Sequence, residues 1–421
     1  MGSRGDTQPF VSLAVRLKEA GHSVILGARP DFAWLAEAYG IEFAPLGRPY
    51  KPFVMDNTDG IESGSFLKGS FTAWKQNKRA FEGTGEDAYR AAAGSDAIIY
   101  KYSWLAGYSI AEKLGIPCAA VMLYPITPSK ELPCFVVGAG KDRGQIINSL
   151  EWRLCERLII WPTQRPYDNK LRRKTLGIKP LPYFSPYRRQ SGENLPVYCA
   201  YSPVLLPKPS DWPDRMHVTG TWPILPPAGW RPPADLSGFL KSGPAPVFIG
   251  FGSMPSTAER TLAIVLKALA ISGMRGVILS GWANLGDAGK MPETVFCVKE
   301  EVPYSWLFPQ MAAIVHHCGA GTTSFGLLSG VPSITTPYTL DQPSWARRVY
   351  ALGVGPMPIP FKALTPELLA GAIKEATTNE AMKKRALEIS KLLKEEDGIK
   401  KTMDLFFRHC SAVNSNIGDK K

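Results

Sequence analysis

No run of this 421-residue chain approaches the roughly 18 apolar residues that cross a bilayer as a helix. Its first residues lack the basic-then-apolar pattern of a secretory signal, and a myristoylation signal fails because Asp6 stands where Ser or Thr is required. Seven cysteines, an odd number without a C-x-x-C pair, argue against a disulfide framework or a zinc ribbon. These absences point to a reducing, cytoplasmic location. There is no Asp-x-Asp motif to hold a divalent ion on a diphosphate, and no G-x-S-x-G elbow for a serine hydrolase. The pair His316-His317 has no second ligand pair at zinc spacing, so no metal is expected. Internal repeats and low-complexity tracts are also missing.

The chain does have size and charge. Its length is about two domains' worth, with 45% apolar residues and a formal charge of +12. The charge is uneven. Residues 165–190 carry Arg165, Lys170, Arg172, Arg173, Lys174, Lys179, Arg188 and Arg189 against Asp168 alone. One reading is a solvated face. The sharper one is peripheral contact with anionic lipid headgroups, since each cation near such a surface gains roughly 1 kcal/mol. No nucleic-acid motif accompanies the charge, so nucleic acid is not an expected partner.

Helix-like and strand-like segments alternate over residues 8–200. Apolar residues at helical spacing span Pro9 to Ala20, and buried strands at Ala97–Tyr100 and Cys118–Leu123 flank a helix over Trp104–Leu114. Residues 203–233 hold nine prolines, the mark of a semi-rigid linker. The alternation restarts at Val247. The expected architecture is α/β, two Rossmann-like doubly wound domains facing each other across a cleft. The boundaries expected are a first Rossmann-like domain over 1–220, a linker over 221–235, a second Rossmann-like domain over 236–395, and a C-terminal helix and tail over 396–421. A sheet of this type opens with a central strand before its first glycine-rich turn, yet here that turn begins at Gly2. Without that strand the first sheet is expected to be weakened in the middle.

Residues 315–343, VHHCGAGTTSFGLLSGVPSITTPYTLDQP, carry the chemistry. A strand delivers a glycine-rich turn to a helix N-terminus, so backbone N–H groups and the helix dipole converge on one point, a site for a diphosphate. His317, Gly319, Ala320 and Gly321 form that turn, Thr322 and Thr323 add hydroxyl donors, and His317 adds a hydrogen bond or charge. Asp341 and Gln342, after the next strand, lie where the hydroxyls of an attached sugar would sit. Ser253, in the turn Gly250-Phe251-Gly252-Ser253, offers a hydroxyl to the same phosphate. Trp282 stacks on a base or packs as core, and the backbone around Val302 can meet a nucleobase edge. Asp6 serves as a helix N-cap, as a general base toward an acceptor hydroxyl, or as both. His22 is structural, at the end of the first helix. Tyr102, Trp104, Tyr108 and Tyr124 suit a flat apolar acceptor and equally suit a core.

These motifs resemble the sterol glucosyltransferases and, more distantly, the macrolide and glycopeptide antibiotic glycosyltransferases, all of the GT-B fold. The resemblance rests on Gly2-Ser3-Arg4-Gly5-Asp6-Thr7-Gln8-Pro9, on residues 110–117, on Phe251-Gly252-Ser253-Met254 and on Asp341-Gln342-Pro343. It also rests on His316–Thr323, where Cys318 replaces the first glycine of the usual His-His-Gly-Gly-Ala-Gly-Thr-Thr. The usual His-Asp-Trp-Leu-Phe is Tyr304-Ser305-Trp306-Leu307-Phe308 here. The resemblance implies an inverting, metal-independent hexosyltransferase with Asp6 as base, using UDP-glucose as co-substrate and a sterol-like lipophilic acceptor. It needs no further cofactor. The alternatives are transfer to a terpenoid, polyketide or phenolic secondary metabolite, and a catalytically inactive transferase-like binding protein. The membrane-targeting N-terminal modules of the fungal sterol enzymes are not in this sequence.

Overall fold

The computed structural model describes residues 4–49, 82–135, 141–183, 190, 192–252, 258–280 and 291–418. Ser253, Trp282, Arg188 and Arg189 therefore lie outside the described residues. The chain divides into two compact units. The first takes residues up to 203, residues 207–222 and the chain from 397 onward, and the second takes 204–206 and 223–396.

In the first unit, β1 (Ile25–Ala28) pairs in parallel with β2 (Glu42–Pro45). A separate parallel sheet runs β3-β4-β5-β6, from Ile98–Lys101, Cys118–Met122, Val197–Cys199 and Met216–Val218. Every residue of β4 is buried, the pattern of a strand covered on both faces. The helix Ala106–Leu114 links β3 to β4 and ends at Gly115, whose φ of +69° is the left-handed conformation that closes helices cheaply only with glycine. The opening helix, Arg4–Glu19, starts earlier than its apolar periodicity suggests and buries Val11, Leu13 and Ala14. Asp6 is thus not an N-cap: it lies inside the first helical turn, where its charge suits the positive end of the dipole.

The C-terminal helix, Gly398–Gly418, packs in this first unit. Ile399 and Phe406 join a core with Leu13, Val121, Tyr198 and Trp222. Arg16 pairs with Asp397 at 3.2 Å, and Lys401 Nζ donates to the Val218 carbonyl at 3.1 Å. His22 stacks on Phe407 with ring centroids 4.8 Å apart, a structural role.

The second unit holds one five-stranded parallel sheet in the order β11-β10-β7-β8-β9. The strands are β7 (Val247–Gly250), β8 (Gly276–Leu279), β9 (Val295–Val298), β10 (Ala313–His316) and β11 (Ser333–Thr335). The helices Ala258–Ser272 and Pro366–Thr378 pack together beside it and close a core around Val247, Ile249, Leu269, Val315 and Ile373. The chain builds outward from β7 in one direction through β8 and β9, then crosses back to β10 and β11. The switch point falls between β7 and β10. Open α/β sheets bind ligands at that point, outside the carboxyl ends of the strands.

Candidate functional site

Parallel register pairs His316 with Gly250, so the turns leaving β10 and β7 emerge side by side at the switch point. They meet at His317. A Cβ built on Gly252 would lie 2.5 Å from His317 Cε1, and one on Gly319 would lie 2.8 Å from His317 Nε2. The imidazole is held between two glycine backbones, and no other residue fits either position without moving it.

Beyond His317 the chain turns through Cys318, at φ +65°, and Gly319 into the helix Ala320–Ser329. The left-handed backbone at 318 explains why glycine is usual there, since a side chain costs roughly 1–2 kcal/mol in that conformation. The first helical bond is Thr323 N–H to the Gly319 carbonyl, at 2.9 Å. The N–H groups of Ala320, Gly321 and Thr322 precede it and have no helical acceptor, which with the dipole makes an anion site.

The two histidines differ in role. His316 is fully buried, and its Nδ1 accepts the Cys318 N–H at 3.2 Å, tying strand to turn. Burial, with His317 beside it, pushes its pKa down to about 3. Burial likewise pushes His317 down to about 4, with the Gly250 carbonyl working against it. His317 is therefore neutral at physiological pH. The Gly250 carbonyl favours the ring's single N–H, so donating to an anion as well requires a second proton, which a bound diphosphate would favour.

Two other residues expected at the donor are committed elsewhere. The Thr323 hydroxyl is buried and donates back to the Gly319 carbonyl at 3.0 Å, so it fixes the turn. Gln342 is buried, and its Oε1 accepts the N–H groups of Tyr338 and Thr339 at 2.8 and 3.3 Å, which leaves its amide N–H2 group. Asp341, just ahead of the helix Gln342–Ala351, accepts the Trp345 indole N–H on Oδ2 at 2.8 Å and stays half-buried. Val302 is buried just before the helix Tyr304–Leu307.

In the first unit, Asp6 Oδ1 accepts a hydrogen bond from Lys101 Nζ at 2.5 Å. Lys101 is the last residue of β3, so the pair lies at the carboxyl edge of that sheet, and the ammonium also stands 5.7 Å from the Tyr124 ring. Sequence reasoning missed Lys101, because a lysine ending a strand carries no signal that its partner lies 95 residues away. Tyr124 thus belongs to the Asp6 cluster. Tyr102 and Tyr108 do not: they are 1% and 3% exposed, and the Tyr108 hydroxyl donates to Glu193 at 2.7 Å. Trp104 packs beside Ala106 and Ile110. Tyr102, in the turn leaving β3, and Tyr108, on the helix Ala106–Leu114, build core, while Trp104 is half-buried against it.

A switch point with two glycine turns and a helix N-terminus suits an anionic ligand, and the doubly wound units on which it sits are those of a GT-B fold. Comparison with known proteins agrees. Residues 1–133 match the glycosyltransferase family 28 N-terminal domain, and residues 275–396 match the erythromycin biosynthesis protein CIII-like C-terminal domain. A sterol 3-beta-glucosyltransferase of Arabidopsis thaliana is 34% identical over 97% of this chain and 67% of its own length. The O-mycaminosyltylonolide 6-deoxyallosyltransferase of Streptomyces fradiae is 33% identical over 95% of this chain and 93% of its own. The calicheamicin glycosyltransferase CalG4 superposes with a TM-score of 0.68 at 16% identity, covering 97% of this chain and 96% of that one. The glycosyltransferase VinC, solved in complex with dTDP, gives 0.62 at 18% over 97% and 98%. The chain belongs to the family 28, erythromycin CIII-like glycosyltransferases. It spans about two thirds of the length of its plant relatives.

Proposed function

We propose that this glycosyltransferase moves glucose from UDP-glucose to a hydroxyl of a sterol-like acceptor, with inversion. The diphosphate rests on the N–H groups of Ala320, Gly321 and Thr322, its charge raises the His317 pKa so that the protonated ring donates a hydrogen bond, and Ser253 joins them. Asp341 and the Gln342 amide take sugar hydroxyls, while Trp282 and the backbone at Val302 hold the base. Asp6 accepts the proton of the acceptor hydroxyl as its oxygen attacks the anomeric carbon. The bond from that carbon to the diphosphate oxygen breaks, UDP leaves with the electron pair, and an α-linked donor yields a β-glycoside. Donors already aimed at the leaving diphosphate stabilise the charge that grows there without reorganising. Lys101 holds the Asp6 carboxylate in position.

What supports this reading is the pair of glycine turns closing on His317 at the switch point, together with the sterol relatives. A second reading has its own support. The Streptomyces relative matches almost end to end, which favours a polyketide-type acceptor and another sugar. The experiment is a transfer assay with UDP-glucose and TDP-glucose against sterols, macrolide aglycones, terpenoids and phenolics, read by product mass. A sterol hexoside formed from UDP-glucose supports the first reading, and a macrolide glycoside alone replaces it with the second. Binding of UDP-glucose without any product would point to another acceptor or sugar, and donor hydrolysis or transfer in any assay dismisses the inactive, transferase-like binding protein.

A further inference from the structure

The helix Gln145–Cys155 runs on through wide turns at Glu156–Ile160 into the helix Trp161–Lys170. Pro162 and Pro166 withdraw backbone donors from this stretch, and a widened turn is how a helix accommodates such a loss without breaking. Its inner side buries Asn148, Trp152 and Cys155, with the Trp152 indole N–H donating to the Leu132 carbonyl at 2.9 Å. Its outer side is apolar. Ile146, Leu150, Leu154 and Leu158 recur every four residues and are 85%, 54%, 46% and 69% exposed. A four-residue step turns each only about 40° from the last, so the four stay on one side of the helix. A contiguous exposed apolar stripe marks an interaction surface.

Positive charge surrounds the stripe. Arg153 and Arg157 are exposed on the same helix. Further along, Arg165, Lys170, Arg173 and Lys174 line an open groove of 340 Å³ with Pro166 and Asn169. The Arg165 guanidinium stacks 4.2 Å from the Tyr183 ring, itself exposed. Among the described residues, none of these six cations pairs with a carboxylate. Two acids fall in the same stretch, Glu156, which is half-buried, and Asp168, which is buried; Arg172 is buried too and is tied to Glu112, Ser109 and the Lys179 carbonyl. No helix among the described residues is long and apolar enough to cross a membrane.

We propose that this face docks on an anionic lipid bilayer: the stripe enters the boundary between headgroups and acyl chains, and the basic groove receives lipid phosphates. Amphipathic helices with cations flanking an apolar side bind in the plane of the interface in this way. Charge decides against a second copy of the chain as occupant, since joining two such faces would bring their uncompensated cations together.

The test is co-sedimentation of the full chain with phosphatidylcholine vesicles, with and without phosphatidylserine. Two variants go with it, I146Q/L150Q/L154Q and K170Q/R173Q/K174Q, all at exposed positions that leave the core intact. The parent chain is expected to bind only the phosphatidylserine vesicles, and less as salt rises. Each lost cation should weaken partitioning about fivefold, so the basic triple variant loses on the order of a hundredfold. The apolar triple variant should lose at least about tenfold. Equal binding to both vesicle types, or binding that neither variant weakens, overturns the proposal. So does a dimer of the parent chain that the apolar variant converts to monomer, which would assign the stripe to a second copy. The readout is binding, so the outcome does not depend on which acceptor the enzyme uses.

Discussion

Gly252→Ala tests the donor site from within. Gly252 and Gly273 share a φ of +66°, so alanine at either costs about the same in backbone strain, roughly 1 kcal/mol. Their surroundings differ. Nothing lies within 4 Å of a Cβ at 273, whereas a Cβ at 252 meets His317 Cε1 at 2.5 Å and Nε2 at 3.0 Å. The ring must move, and overpacking adds about 1–3 kcal/mol of destabilisation at 252 alone. A displaced imidazole also loses its hydrogen bond to the diphosphate, worth about 1.5–3 kcal/mol when the acceptor is charged. Affinity for UDP should therefore fall roughly 10- to 100-fold in Gly252→Ala and stay unchanged in Gly273→Ala. Urea unfolding and calorimetric titration with UDP and TDP read both effects. If the two variants lose equal stability and both keep parental nucleotide affinity, His317 does not hold the donor and the site is misassigned.

Lys101→Met removes the ammonium that positions Asp6. Loss of that contact should lower kcat about 10- to 100-fold with the donor KM unchanged, and Lys101→Arg should restore most of it. A drop in donor affinity instead would detach Lys101 from the base. Burial raises the Asp168 carboxyl to about 7 in the folded chain, against an ordinary 3.8, and Arg172 only partly opposes it. Between these values the folded chain keeps a proton that the unfolded chain releases, so this group's stabilisation falls as pH rises from about 4 to 7. Asp168→Asn should flatten that slope, gaining in urea midpoint over the parent at pH 8 relative to pH 4, and parallel pH curves would contradict it. The same linkage runs the other way at His316, whose depressed value near 3 makes its contribution fade as pH drops below about 6.5. His316→Gln should therefore lose most stability at neutral pH, with the deficit narrowing toward pH 4.

The turns at the sheet edge were legible because they are backbone features. Glycine spacing around Gly250–Gly252 and Gly319–Gly321 encodes where a chain can turn tightly and approach a phosphate, and the alternation of elements encodes the sheet edge. Hydroxyl direction is not encoded in that way. Thr323 looked like a donor to the ligand, but a threonine in a first helical turn can reach back to a carbonyl instead, and here it does. Gln342 was expected to meet sugar hydroxyls, yet its oxygen closes the turn before it. The aromatic residues after β3 fitted pocket or core equally, and only burial separates Tyr102 and Tyr108 from Tyr124. Lys101 needed the fold, because β3 alone brings it to the first helix. The apolar stripe at 146–158 is present as an i, i+4 pattern, but the pattern alone does not say whether that side is covered or exposed.

The central claim is that donor binding and proton removal belong to different residues, His317 with its glycine turns and Asp6. Asp6→Asn, measured side by side for UDP-glucose binding and for transfer to the acceptor found active, tests this most directly. Binding within about twofold of the parent with transfer lowered 10²- to 10⁴-fold, the usual worth of a general base, is the expected result. Transfer above about a tenth of the parental rate would contradict the account, and so would loss of UDP-glucose binding in parallel with transfer.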